Sequence, residues 1–162
     1  MRIIAIDPGF ERVGVAVLEK SAGKEVLIFS DCIRTNPKDV FEERLRVIGT
    51  AFGKLVETYA PEVLAIETLL FNTNQKTAMK VAEGRGTIVF KAKEAGLHVE
   101  EYTPLQIKVA ITGWGRAPKE QVTLMVKQLL RVPEKKGRLD DEYDAIAVGL
   151  THFATEKTRS LS

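Results

Sequence analysis

Short apolar runs separated by turn residues dominate the first part of the chain. Residues 2–7 are mostly apolar and end in Asp-Pro-Gly, residues 13–18 are apolar and β-branched, and residues 25–33 continue the pattern. Runs of this length between turn residues are typical of β-strands. Their close succession predicts three antiparallel strands joined by short turns.

The apolar spacing then becomes helical. Residues 40–59 carry apolar side chains three and four positions apart, and Pro61 follows, which predicts a helix. Two more strands are predicted over 63–67 and 97–102, and four more helices over 74–95, 104–111, 118–130 and 140–155. Strands followed by alternating strands and helices predict an α/β domain with a mixed five-stranded sheet.

The size of the chain, 162 residues, suits one domain with a proper core. We expect residues 1–155 to form it and the polar residues 156–162 to be a frayed tail. No apolar run is long enough to span a bilayer, and Asp7 interrupts the N-terminal run, unlike a signal peptide. With Cys32 as its one cysteine, the protein is expected in the cytoplasm.

Charge is balanced overall but unevenly distributed. The net charge is only +2, yet ten lysines and arginines fall between Arg85 and Lys136. Basic residues clustered away from candidate acidic ligands are what a nuclease needs, because cations hold phosphates and acids hold metal.

Four acids stand where chemistry would use them. Asp7 and Glu67 end two predicted buried strands, and Asp141 and Asp144 lie three residues apart on the last predicted helix. Taken singly, Asp7 suits a turn, Glu67 an ion pair, and Asp140 or Asp141 a helix cap or first turn. Asp144, beside an apolar run, is costly to bury without a compensating cation. A single site for a hard cation such as Mg²⁺ explains all four acids. The sequence has no Cys/His cluster of the kind that binds zinc.

An ordered series of motifs then resembles a known family, the RuvC Holliday-junction resolvases of the RNase H-like nucleases. The matching motifs run along most of the chain: Ile6-Asp7-Pro8-Gly9, Ala65-Ile66-Glu67, Gly84-Arg85-Gly86, Tyr102-Thr103-Pro104, Gly113-Trp114-Gly115-Arg116-Ala117-Pro118-Lys119 and Asp141-Glu142-Tyr143-Asp144. The resemblance implies an RNase H-like fold with three antiparallel strands followed by two parallel ones.

The resemblance also implies an activity. It implies a homodimer that nicks two opposed strands of a four-way DNA junction in recombination and repair, leaving 5′-phosphate and 3′-hydroxyl ends. Two Mg²⁺ ions, or Mn²⁺, would be held by Asp7, Glu67, Asp141 and Asp144. A branch-migration motor is an expected partner.

Six residues are candidates for contact with DNA. The resemblance implies that Lys108 and Lys119 contact phosphates, and Arg116 and Arg85 are further candidates; the alternatives are solvated charges and, for the Gly-Arg-Gly element, tight helix packing. The family commonly places an aromatic wedge at a position that here holds Leu70, next to Phe71. Either side chain could be the wedge, or both could be core residues.

Competing functions also remain open at this level. A nuclease of the same fold that trims structured RNA would share the Asp-Pro-Gly opening. A nucleotide-binding module of the actin and sugar-kinase type needs two such domains, whereas 162 residues supply one. A non-catalytic junction-binding protein would leave the four acids without a purpose.

Overall fold

The computed structural model of the protein describes residues 1–69, 75–133 and 135–159. Within these ranges the chain forms five strands and five helices. Their bounds, in chain order, are β1 Arg2–Asp7, β2 Arg12–Ser21, β3 Lys24–Arg34, α1 Phe41–Tyr59, β4 Val63–Glu67, α2 Gln75–Glu94, β5 His98–Tyr102, α3 Pro104–Thr112, α4 Lys119–Leu129 and α5 Asp140–Arg159.

The strands form one mixed sheet in the order β3-β2-β1-β4-β5. β1, β2 and β3 pair antiparallel, while β4 joins β1 and β5 joins β4 in parallel. The predicted sheet is therefore confirmed. The register pairs Ile6 with Ile66 across β1 and β4, so Asp7 and Glu67 leave the sheet side by side.

The β2–β3 hairpin is longer than its apolar pattern. The ladder continues past Leu18 to the pair Ser21–Lys24 and closes through Ala22 and Gly23, both with positive φ. Two consecutive residues with positive φ are what a tight hairpin turn requires. Backbone hydrogen bonds hold this end of the hairpin together without the help of buried side chains.

Helices cover both faces of the sheet, which produces two cores. Ile4 and Ile6 of β1 pack with α1 and α2, whereas Ile3 and Ala5 pack with α3, α4 and α5. Alternate residues of a strand point to opposite faces. Asp7, in step with Ile3 and Ala5, therefore belongs to the α5 face.

The last helix extends further than its pattern predicts. α5 continues to Arg159, so residues 156–159 of the expected tail are helical. It begins at Asp140, which therefore lies in the first turn rather than at the capping position before it. No helix in the described ranges is long and apolar enough to cross a membrane.

Candidate active site

Asp7 and Glu67 lie together at the carboxyl ends of β1 and β4. Glu67 follows Val63 and Ala65 on the α5 face, as Asp7 follows Ile3 and Ala5. Both line a cleft of about 300 Å³, here called the acidic cleft, whose polar walls are Asp7, Glu67, Lys108, Lys119 and Asp144. Strand pairing and side-chain alternation thus bring together two acids that are sixty residues apart in sequence.

The N-terminal end of α5 brings the other two acids to the same place. Asp144 lines the acidic cleft, and Asp141 lies close enough to raise the pKa of Asp7. The close approach of α5 depends on Gly14, the partner of Asp7 across the β1–β2 ladder. A Cβ at Gly14 would collide with the backbone carbonyl oxygen of Asp141, so no larger residue fits without moving the helix.

Burial and repulsion by neighbouring acids make three of the carboxylates, those of Asp7, Glu67 and Asp144, reluctant to ionise. Burial, followed by the charges of Asp144, Glu67 and Asp141, raises the pKa of Asp7 well above its ordinary value. Burial and the Asp144 charge raise the pKa of Glu67 to about 7, against the opposing effect of two nearby lysines. Burial also raises the pKa of Asp144, although Lys119 opposes it. Such a cluster favours binding of a cation.

Two basic side chains partly neutralise the cluster. Lys119 Nζ lies 2.8 Å from Asp144 Oδ2, and Arg12 Nε lies 3.0 Å from Asp141 Oδ2. Burial lowers the pKa of Lys119, but its hydrogen bond to Asp144 and the surrounding acids outweigh that effect and raise it overall. Lys119 is therefore firmly charged at neutral pH.

The other basic candidates occupy different surroundings. Lys108 lines the acidic cleft and faces Glu67, while Arg116 is exposed on the turn before α4. Arg85 donates from Nε to the backbone carbonyl of Glu67 at 3.1 Å and pairs through Nη2 with Glu101 at 3.0 Å. Arg85 thus secures the end of β4 that carries Glu67, and its contact with DNA stays a prediction.

The wedge candidates and two ring-bearing residues, Trp114 and His152, occupy different surroundings. The wedge candidates Leu70 and Phe71 lie outside the described residues. Trp114 is 52% exposed, which excludes a place in the core. His152 is buried, lies 2.8 Å from the Tyr102 hydroxyl through Nδ1, and lines a cavity at the opposite end of the strands with Met1. Its position is remote from the acidic cleft.

Glu142, inside the last acidic motif, is a further residue that positions the acids of α5. Its side chain is 2% exposed and accepts hydrogen bonds from Ser30 Oγ at 2.7 Å and Lys135 Nζ at 3.1 Å. Arg138 Nη1 lies 3.5 Å from the same oxygen. These contacts tie the first turn of α5, between Asp141 and Asp144, to β3 and the preceding loop. In sequence Glu142 resembles any acid of a helix first turn, so no local signal singles it out.

The donor set fits a hard divalent cation. All four candidate ligands are carboxylates, and among the described residues neither histidine nor cysteine lines the acidic cleft. Asp141 Oδ2 is buried without a properly aligned hydrogen bond, despite the nearby arginine. Among the described residues, no group of three His, Cys, Asp or Glu side chains is arranged to hold a metal ion. Asp141 and Asp144 are instead paired with Arg12 and Lys119. The chemistry of the site therefore suits a metal that displaces these pairs.

Comparison with known proteins identifies relatives of this chain. Residues 3–152 match the family model for crossover junction endodeoxyribonuclease RuvC. A protein of that name from Moorella thermoacetica is 46% identical over 94% of this chain and 90% of its own length. The structure of T. thermophilus RuvC in complex with Holliday junction substrate superposes with a TM-score of 0.89 at 33% identity, covering 98% of this chain and 96% of the other. The yeast mitochondrial Holliday junction resolvase shares the fold, with a TM-score of 0.70 over 97% and 80% of the two chains at 13% identity.

Proposed function

The chain belongs to the RuvC family of crossover junction endodeoxyribonucleases and resolves Holliday junctions, and we propose that it does so through a divalent-metal centre held by Asp7, Glu67, Asp141 and Asp144. One observation carries this proposal: Asp7, Glu67 and Asp144 come from three separate elements to line one cleft, with Asp141 beside them. Burial and neighbouring carboxylates raise the pKa of Asp7, Glu67 and Asp144, and such a cluster is costly to ionise unless a cation is to bind there.

Mg²⁺ is the cation that we propose, with Mn²⁺ as a substitute and two ions in each active site. Both prefer oxygen ligands, and a site with few carboxylates leaves room for water and substrate phosphate. When bound, the ions would supply an activated water and neutralise charge on the leaving oxygen. The charges of the other three acids all raise the pKa of Asp7, and we propose that Asp7 would be a principal ligand of the metal centre.

Lys108 and Lys119 are the proposed phosphate contacts. Both line the acidic cleft, and Lys119 Nζ already binds a carboxylate oxygen of Asp144. A phosphate oxygen can take that place once the acids hold metal. The reaction is hydrolysis: a water oxygen bonds to phosphorus while the bond to the 3′-oxygen breaks. A 5′-phosphate and a 3′-hydroxyl result, and the lysines stabilise the charge that develops on the phosphate oxygens.

The wider assembly follows from the family resemblance. The T. thermophilus relative is described in complex with Holliday junction substrate, and its similarity supports junction binding by this chain. Symmetric nicking of two strands requires two active sites, so we propose a homodimer. Cooperation with a branch-migration motor, cytoplasmic residence, and DNA contacts by Arg116 and Arg85 stay predictions. The nuclease that trims structured RNA is not favoured, because the matching relatives are junction enzymes.

A substrate panel tests the proposal directly. The protein is incubated with a synthetic four-way DNA junction, the matching linear duplex and a structured RNA, each with Mg²⁺ or EDTA. We expect paired, symmetric nicks in the junction with Mg²⁺, and intact duplex, RNA and EDTA samples. Preferential cleavage of RNA, or junction cleavage in EDTA, would contradict the proposal.

A further inference from the structure

Arg12 is a cation at the rim of the site that neither a motif nor the proposed function uses. Its Nε lies 3.0 Å from Asp141 Oδ2, and the arginine side chain is 52% exposed against 22% for the aspartate. Asp141 is thus largely covered, while the arginine reaches it from the solvent side.

The backbone gives Arg12 little freedom to be elsewhere. It is the first residue of β2, paired with Arg34 of β3. The preceding turn is tight, because a Cβ at Gly9 would collide with the carbonyl oxygen of Arg12. Arg12 also stands two residues before Gly14, so strand alternation directs its side chain to the α5 face. The contact with Asp141 therefore follows from the fold.

This contact competes with metal binding. Oδ2 of Asp141 is a buried carboxylate oxygen of the kind a hard cation needs. The same oxygen cannot serve a guanidinium and a divalent ion together, because the two cations repel each other at that distance. A metal ion that takes Asp141 must therefore displace Arg12.

We infer that Arg12 is an internal counter-ion of the metal centre, which holds Asp141 in the metal-free protein and sets how much metal is needed to take it. This inference rests on the proposed metal site. Arg12 is in this sense a positioning residue, and it makes no bond to the reacting phosphate. A purely structural role would predict that losing Arg12 disorders Asp141 and weakens metal binding; the counter-ion role predicts the opposite sign.

Calorimetric titration of Mn²⁺ into the DNA-free protein separates the two roles. We expect Arg12→Gln to bind Mn²⁺ about two- to fivefold more tightly than the parent protein, the range for loss of one partly exposed ion pair. Arg12→Lys keeps the charge and should shift the affinity by less than about twofold. Lys24→Gln is the matched control, because it removes an equal charge from the exposed far end of the same hairpin, and its affinity should stay at the parent value.

A second titration ties the effect to Asp141. In an Asp141→Asn background, Arg12→Gln should no longer tighten Mn²⁺ binding, since the carboxylate for which they compete is gone. Unchanged or weaker binding by Arg12→Gln in the parent background would overturn the inference, as would the same tightening in the Asp141→Asn background. If the parent protein itself binds no Mn²⁺, the proposed metal site fails instead.

Discussion

Glu67→Gln should make the metal-free protein more stable, although it removes a proposed ligand. The pKa of Glu67 is raised from its ordinary 4.5 to about 7. A carboxyl group with a raised folded-state pKa costs stability when ionised. This free-energy cost reaches its maximum above about pH 7 and disappears as the pH falls toward 4.5. Each tenfold change in the acid dissociation constant corresponds to about 1.4 kcal/mol, so the cost of ionising Glu67 is at most about 3 kcal/mol.

Partial exposure of Glu67 reduces that limit. Allowing for solvent screening, we expect a gain of about 1–2 kcal/mol at pH 8, which corresponds to a rise in Tm of about 2–8 °C for a chain of this size. Circular dichroism melts in EDTA at pH 8 and pH 5 measure it, and the gain should be below about 1 kcal/mol at pH 5. Glu57→Gln, on an exposed position of α1, is the control and should change stability by less than about 0.5 kcal/mol. Equal gains at both pH values, or a loss at pH 8, would refute the reasoning.

Two further predictions concern the wall of the cleft and the approach of α5. Lys119→Met removes the partner of Asp144 and should lower single-turnover junction cleavage by about tenfold or more, with junction affinity reduced far less; an unchanged rate would exclude a role for the lysine. Gly14→Ala must displace the Asp141 backbone and should cost about 3 kcal/mol or more in urea unfolding. Gly86→Ala, in the middle of α2 with open space around it, should instead stabilise the protein by up to about 1 kcal/mol. A greater loss of stability from Gly86→Ala than from Gly14→Ala would contradict the packing described.

Much of the fold follows from local pattern. β1 and β4 begin and end where predicted, at Arg2–Asp7 and Val63–Glu67, because each is a continuous apolar run that stops at a carboxylate. β2 runs three residues past its predicted end at Leu18, because its last pairs are held by backbone hydrogen bonds and carry no buried apolar pattern. Periodicity detects burial, and it misses strand length wherever pairing continues in solvent.

The candidate site is predictable only in part, for a related reason. Asp7 and Glu67 could be singled out in advance, since each ends a predicted buried strand. The Arg12–Asp141 pair joins residues that are far apart in sequence, and the partners of Glu142 come from β3 and the loop before α5. Contacts of this kind depend on tertiary packing, which leaves no periodic trace in the chain.

The most direct test of the metal-centre proposal is the Asp7→Asn variant on a four-way junction. The substitution keeps the side-chain shape but removes the negative charge of a proposed metal ligand in the acidic cleft. With Mg²⁺, single-turnover cleavage should fall by about a thousandfold or more, while the junction dissociation constant stays within about threefold of the parent value. Cleavage at the parent rate would show that the four acids are not the catalytic centre.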